Sequence, residues 1–280
     1  MIHSATQLKA IVKNRAKGDS NKSLVLIRKF IMERFLERLS VSEYKTQFII
    51  KGGILVSSMV GTDNRDTMDI DTTIRGFDLN EETLKKILME IAEITMDDGI
   101  IFKITKVSEI MDDFEYPGIR VMMVAMLDKM RTPLKLDIST NDVITPKEIE
   151  YKYPLTFEDR SIDLLSYNLE TVLAEKLETI LSRGEANTRM RDFYDIAILT
   201  SGVYRDPDYS LLKTALIATA DKRGTTALLD RRTEIIGQIE NDADIQKHWN
   251  EYQQSYDYAA MFSLADVISA VNKLFDQIGY

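Results

Sequence analysis

Two aspartates set two positions apart, Asp69 and Asp71, sit in the run Arg65-Asp66-Thr67-Met68-Asp69-Ile70-Asp71-Thr72-Thr73-Ile74. In a strand, alternate side chains share a face, so the two carboxylates point one way while Met68, Ile70 and Ile74 can face a core. Carboxylates roughly 6–7 Å apart along one face repel each other, and a divalent cation between their oxygens relieves that repulsion. The plain alternative is an exposed polar strand face. A second segment, Leu134-Lys135-Leu136-Asp137-Ile138-Ser139, alternates in the same way. If it pairs beside the first, Asp137 becomes a third carboxylate on that face. Three acids on adjacent strands are what a two-magnesium phosphoryl-transfer site needs, with its ions roughly 3.5–4 Å apart. The competing reading is an edge strand with a solvated polar side.

Other residues could face phosphate. Lys51-Gly52-Gly53 follows a short apolar run and precedes another. Two glycines let backbone approach a ligand, and helix N-terminal amides favour anions. Ser57 and Ser58 fall one turn further on. This is not a P-loop, because no Gly-Lys-Ser/Thr follows at the required spacing. Further along, Lys176 and Arg183 share a helix face, and Arg189, Arg191, Asp192 and Asp195 open the next helix. A lysine with arginines would complement a triphosphate. Simple surface pairs, Arg189 with Asp192 and Arg191 with Asp195, would explain the same residues. The tyrosines Tyr252, Tyr256 and Tyr258 near Trp249 read as core or interface, His248 as a helix surface residue, and the clusters at 221–223 and 230–232 as solvated helix ends.

Composition narrows the chemistry. The 280-residue chain has no cysteine and two histidines, His3 and His248. Thiolate sites, cysteine nucleophiles and histidine-rich zinc sites are therefore set aside, leaving oxygen-ligand ions: magnesium, manganese or calcium. A net charge of −9 argues against a protein that coats nucleic acid, though not against one local basic strip; Lys176, Arg183, Arg189 and Arg191 are its first candidates. No run approaches the ~18 apolar residues of a bilayer span. No basic stretch followed by an apolar one opens the chain as in a secretory leader.

The elements that must position these residues can be read from periodicity. Residues 5–39 read as two helices, with Ser23 capping the second. Residues 48–50 form a short strand, 54–60 a helix, 61–64 a loop and 67–74 a strand. Asn80 caps a helix to about residue 96. Strands follow at 100–109, 118–127 and 134–139, separated by turns at 116–118 and 131–133. Beyond about residue 160 strand signals vanish, and helical spacing marks 168–183, 188–200, 209–221, 228–241 and 263–278. The boundary falls near 155–162, giving an α+β domain over residues 1–158 and a helical domain over 159–280. There is no internal repeat.

Taken in order, Lys51-Gly52-Gly53, Arg65-x-Thr67-x-Asp69-Ile70-Asp71, Asp137, Ala174-Glu175-Lys176-Leu177 and Arg191-Asp192-Phe193-Tyr194-Asp195-Ile196 resemble the AbiEii/AbiGii toxin family of nucleotidyltransferases, whose catalytic half is similar to the DNA polymerase β-type superfamily. The resemblance spans about residues 45–200. It implies a mixed β-sheet flanked by helices, followed by a C-terminal helical bundle. It also implies a bacterial abortive-infection or toxin–antitoxin role in phage defence, with transfer of a nucleotide from an NTP to a tRNA 3′ end. On that reading Asp69 and Asp71 are metal ligands for Mg2+ or Mn2+, and Asp137 is a third ligand or the group that activates the acceptor hydroxyl. Lys176 matches the lysine of the family's helical motif and Asp192 the aspartate after it. Lys51, Gly52, Gly53, Ser57, Arg65, Thr67, Arg189 and Arg191 make up the nucleotide-binding set. The turn carries Gly52-Gly53-Ile54 where many superfamily members have Gly-Ser, so phosphate contact there would come from backbone amides or Ser57. The expected setting is a cytoplasmic monomer, with a cognate antitoxin encoded nearby that acts with or without a stable complex. Two alternatives share some of these residues: a small-molecule nucleotidyltransferase of the antibiotic-modifying type, and a non-catalytic nucleotide-binding regulator.

Overall fold

In the computed structural model, which describes residues 2–76, 80–110 and 118–280, seven strands form a mixed sheet. They are β1 (Phe48–Lys51), β2 (Asp69–Ile74), β3 (Ile100–Ile110), β4 (Gly118–Leu127), β5 (Met130–Thr140), β6 (Ile149–Pro154) and β7 (Ser161–Ser166). Their order across the sheet is β3-β4-β5-β2-β1-β7-β6. The β2–β5 and β1–β7 pairs are parallel and the others antiparallel. The fold class is α+β, as the sequence led us to expect. The turn anticipated at residues 116–117 lies outside the described residues.

The chain divides into two compact units. The first comprises Met1–Ser58, Asp66–Asp142 and Ile149–Ser166, and holds the whole sheet. Its helices are α1 (Ala5–Ala16), α2 (Ser20–Val41), most of α3 (Gly52–Val60), and α4 (Glu81–Glu93). One sheet face is covered: α2 packs on β5 and β7, and α4 packs on β3. β4 buries Val121, Met123, Ala125 and Leu127 on that face and turns the intervening residues outward. Asp19, not Ser23, caps α2; its carboxylate accepts from Lys22 N at 3.0 Å, while the Ser23 hydroxyl donates to the Asp19 carbonyl one turn in. A carboxylate placed before the first turn answers a free backbone amide that Ser23, already inside the helix, cannot reach.

The seventh and sixth strands carry the sheet beyond the segment in which strand signals were read. β6 is an edge strand with exposed Glu150 and Lys152, ending on Pro154, which an edge tolerates because it has no ladder hydrogen bond to lose there.

The second unit comprises Met59–Arg65, Val143–Glu148 and Tyr167–Tyr280. Its helices are α5 (Leu169–Arg183), α6 (Met190–Thr200), α7 (Tyr209–Arg223), α8 (Thr226–Asp230), α9 (Arg232–Asn241), α10 (Ala243–Ser255) and α11 (Leu264–Gln277). Asn168 caps α5 by accepting from Thr171 N at 2.8 Å, and its amide also donates to the Thr145 and Lys147 carbonyls. Ser263 and Asp266 form a capping box on α11. The single helix expected at 228–241 is two, α8 and α9. Trp249 is buried in this unit, His248 is half-buried rather than on the surface, and Arg223 is an ion-pair partner of Glu178 rather than a solvated helix end.

Candidate active site

In the first unit the chain leaves β1 at Lys51 and enters α3 through Gly52-Gly53. Gly52 has φ +61°, and a Cβ there would lie 2.4 Å from Asp71 Oδ2 and 2.8 Å from Asp71 Cβ. Glycine is required twice over, by the left-handed backbone and by the closeness of the Asp71 side chain. The Gly53 amide, at the N-terminus of α3, donates to Asp71 Oδ2 at 3.3 Å. The anion resting on this helix N-terminus is therefore the protein's own carboxylate.

Strand register brings the three aspartates to one place. Asp71 lies opposite Lys51 on β1 and opposite Asp137 on β5, and Asp69 lies opposite Lys135. Asp137 is next to Arg120 on β4. Lys135 Nζ is 2.6 Å from Asp69 Oδ2 and 3.6 Å from Asp137 Oδ2, and Arg120 grips both Asp137 oxygens at 2.8 Å. Lys51 Nζ reaches Asp142 Oδ2 at 2.5 Å, and Ser139 Oγ donates to the same oxygen at 2.6 Å. Burial raises the Asp71 carboxyl above its ordinary value, and the Asp137 and Asp69 carboxylates push it further up; Lys51 and the Gly53 amide oppose them.

Asp69, Asp71 and Asp137 offer only carboxylate oxygens, which suits a hard divalent cation. Among the described residues, no three acidic or histidine side chains converge into a ready metal cage. Asp69 and Asp71 form a donor pair on one face, next to the crowded third carboxylate, while Lys135 and Arg120 supply the positive charge. The fit is thus to Asp69 and Asp71 first, with Asp137 committed to Arg120.

Three expected contacts take other partners. Ser57 is 1% exposed and accepts from Lys29 Nζ at 3.3 Å, so it faces the interior rather than a phosphate. Ser58 donates to the Leu55 carbonyl and shares a hydrogen bond with the Tyr151 hydroxyl. Phosphate contact at this turn is left to backbone amides. Thr67 is buried, with its hydroxyl donating to the Asp69 carbonyl at 3.3 Å, so it fixes the entry to β2.

In the second unit, α5 and α6 carry the other expected residues. Lys176 Nζ lies 2.9 Å from Asp192 Oδ1 and 2.7 Å from Asp195 Oδ2. Asp195 also receives Arg65, at 2.6 Å from Nε and 3.3 Å from Nη2, and Arg189 Nε is 3.3 Å from Asp192. Burial alone would lower the Lys176 ammonium, but the two aspartates outweigh it and raise it; burial would raise Asp192 and Asp195, but Lys176 and the arginines hold both below their ordinary value. Lys176, 9% exposed, is not part of an open basic strip. Arg65, expected among nucleotide-binding residues, is buried against Asp195. The expected Arg191–Asp195 pair does not form: Arg191 is exposed, and Asp195 serves Arg65 and Lys176 instead. The Arg189–Asp192 pair does form. Asp195 is the residue whose importance the sequence underplayed; its signal was the i,i+3 spacing from Asp192 on one helix face.

The nucleotidyl transferase AbiEii toxin family, of type IV toxin–antitoxin systems, matches residues 34–270. The chain belongs to this family. Such a toxin has a cognate antitoxin. MenT4, a nucleotidyltransferase toxin from Mycobacterium tuberculosis H37Rv, has a similar fold at 14% identity and TM-score 0.56, over 96% of this chain and 98% of that one. JHP933 from Helicobacter pylori aligns at 14% identity and TM-score 0.49, over 91% of this chain and 93% of that one. No curated protein matches the sequence. Among the described residues, no helix of this AbiEii-family chain is long and apolar enough to cross a membrane.

Proposed function

We propose that this AbiEii-family protein transfers a nucleotide from an NTP to the end of an RNA acceptor, with tRNA 3′ ends as the first class to examine. The observation that supports it best is the placement of Asp69, Asp71 and Asp137 on adjoining strands, directly beside a glycine turn into a helix N-terminus. Asp69 and Asp71 would hold Mg2+ or Mn2+, which supplies charge neutralisation on a triphosphate when bound. Asp137, oriented by Arg120, would accept the proton of the acceptor hydroxyl as that oxygen attacks the α-phosphorus and pyrophosphate leaves. Lys51 and the Gly52-Gly53 backbone line this carboxylate group and would position the triphosphate. In the helical unit, Arg189 and Arg191 carry the more open positive charge. Lys176 and Asp192 hold the first turn of α6, and through it those arginines.

Incubation with each α-labelled NTP and total RNA, with and without magnesium, tests this. We expect label on RNA in magnesium and none after chelation. Labelling of a small molecule in place of RNA would transfer the reading to an antibiotic-modifying type of enzyme. Nucleotide binding without transfer to any acceptor would make the protein a nucleotide-binding regulator.

A further inference from the structure

The sheet face that carries the three aspartates continues beyond them. Residues paired across strands share a face, and the register extends the aspartate face in three rungs. Met122 on β4 stands between Lys135 on β5 and Lys106 on β3. Val124 stands between Pro133 and Lys103, and Met126 between Arg131 and Ile101. The intervening residues of β4 and β5 are buried on the opposite side, so these rungs form the open face. Lys103, Lys106 and Arg131 are exposed, and among the described residues none of the three has a carboxylate partner. No acid stands on any of the three rungs.

An irregularity in β3 builds this pattern. Lys103 and Lys106 are three residues apart and would lie on opposite faces of a regular strand. The register shift between Ile104 and Lys106 leaves Thr105 as the extra residue, its hydroxyl donating to the Met122 carbonyl at 3.0 Å. The bulge brings both lysines to the open side. A bulge and edge lysines also discourage strand addition, so an added β-strand is a poor occupant of this edge. In a chain of net charge −9, exposed cations gathered on one face, contiguous with the carboxylates and without a carboxylate partner among the described residues, complement a polyanion.

We propose that this face docks the acceptor as a single RNA strand, an inference that rests on the nucleotidyltransferase reading above. Phosphates lie against Lys103, Lys106 and Arg131, bases lie on the polarisable surface of Met122, Val124 and Met126, and the strand end reaches the aspartates. From β3 to β2 is three strand spacings, ~14 Å, the reach of a short strand end rather than of a long duplex.

The test is fluorescence anisotropy of a short labelled single-stranded RNA against the full chain over a range of KCl concentrations. The variant is Lys103→Ala/Lys106→Ala/Arg131→Ala, with NTP binding and thermal stability measured in parallel. Loss of three phosphate contacts should weaken RNA binding by about tenfold or more and flatten the logarithmic salt slope by about 2, at ~0.7 per contact, while NTP binding and melting temperature stay as in wild type. Should the triple variant lose stability, the three single variants apply, each expected to reduce the slope by about 0.7. RNA binding equal to wild type in the triple variant overturns the proposal, as does a wild-type protein that binds no RNA at low salt. Loss of transfer in Asp69→Ala with RNA binding intact in the triple variant leaves the catalytic reading standing and removes this one. Transfer retained in Asp69→Ala with RNA binding lost in the triple variant does the reverse.

Discussion

Asp71 is a half-buried carboxylate pressed between the Gly53 amide and two other carboxylates. Because its folded-state pKa is raised above the unfolded value, ionisation costs the folded state stability. That cost is absent below about pH 4, where the group is protonated in both states, and is complete once pH exceeds the raised value. At neutral pH, Asp71→Asn should therefore stabilise the protein, raising the melting temperature by about 2 °C or more, while abolishing nucleotide transfer. Magnesium should raise the melting temperature of wild type and leave Asp71→Asn unmoved. A melting temperature that falls in Asp71→Asn would show that the carboxylate is held by favourable contacts rather than by crowding. Arg120 is the counterpart: it holds Asp137 with two hydrogen bonds, so Arg120→Ala should lower nucleotide transfer by about tenfold or more while leaving magnesium binding by calorimetry as in wild type. Wild-type transfer in the variant would show that the fork does not serve the reaction.

At the scale of elements, the pattern of β2 and β5 could be read in advance because strand parity fixes which residues share a face, and both segments alternate cleanly. Asp69, Asp71 and Asp137 were legible for that reason. What could not be read was which element lies next to which. The Arg120–Asp137 fork depends on β4 pairing with β5, and the Arg65–Asp195 pair joins residues 130 positions apart. Ser57 was misplaced because helix spacing gives neighbours along the helix but not the side that packs inward. β6 and β7 escaped notice because short strands carrying Glu150, Lys152 and Asp163 lack a continuous apolar signature. The clasp of α5 and α6 shows what such a long-range pair does. Asp195 compensates two buried cations, Arg65 and Lys176, and Asp195→Ala would leave them unmatched, at a cost of about 3–5 kcal/mol in urea unfolding of the helical unit. A loss below about 1 kcal/mol would show that water or another acid takes over.

For the whole molecule, charge distribution matters more than total charge. The chain carries −9, yet Lys103, Lys106 and Arg131 stand exposed on one face with no carboxylate partner among the described residues. The buried clasp also sets a pH window. Asp195 is held below its ordinary value, so its contribution is present above the unfolded pKa near pH 4 and is lost as pH falls through the lower folded value. Lys176 is raised, so its contribution is present below its unfolded pKa near pH 10 and is lost as pH rises through the higher folded value. The stability difference between wild type and Asp195→Asn should hold constant from about pH 5 to 9 and narrow below about pH 4. A difference that varied across the neutral range would assign the effect to other groups. The central claim is that the carboxylates on β2 do the chemistry, and its most direct measurement is transfer of labelled nucleotide from NTP to RNA by Asp69→Asn, compared with wild type at equal melting temperature. A loss of about a hundredfold or more is expected, from the removal of one charged ligand from the reacting phosphates; a folded Asp69→Asn with wild-type transfer would contradict it.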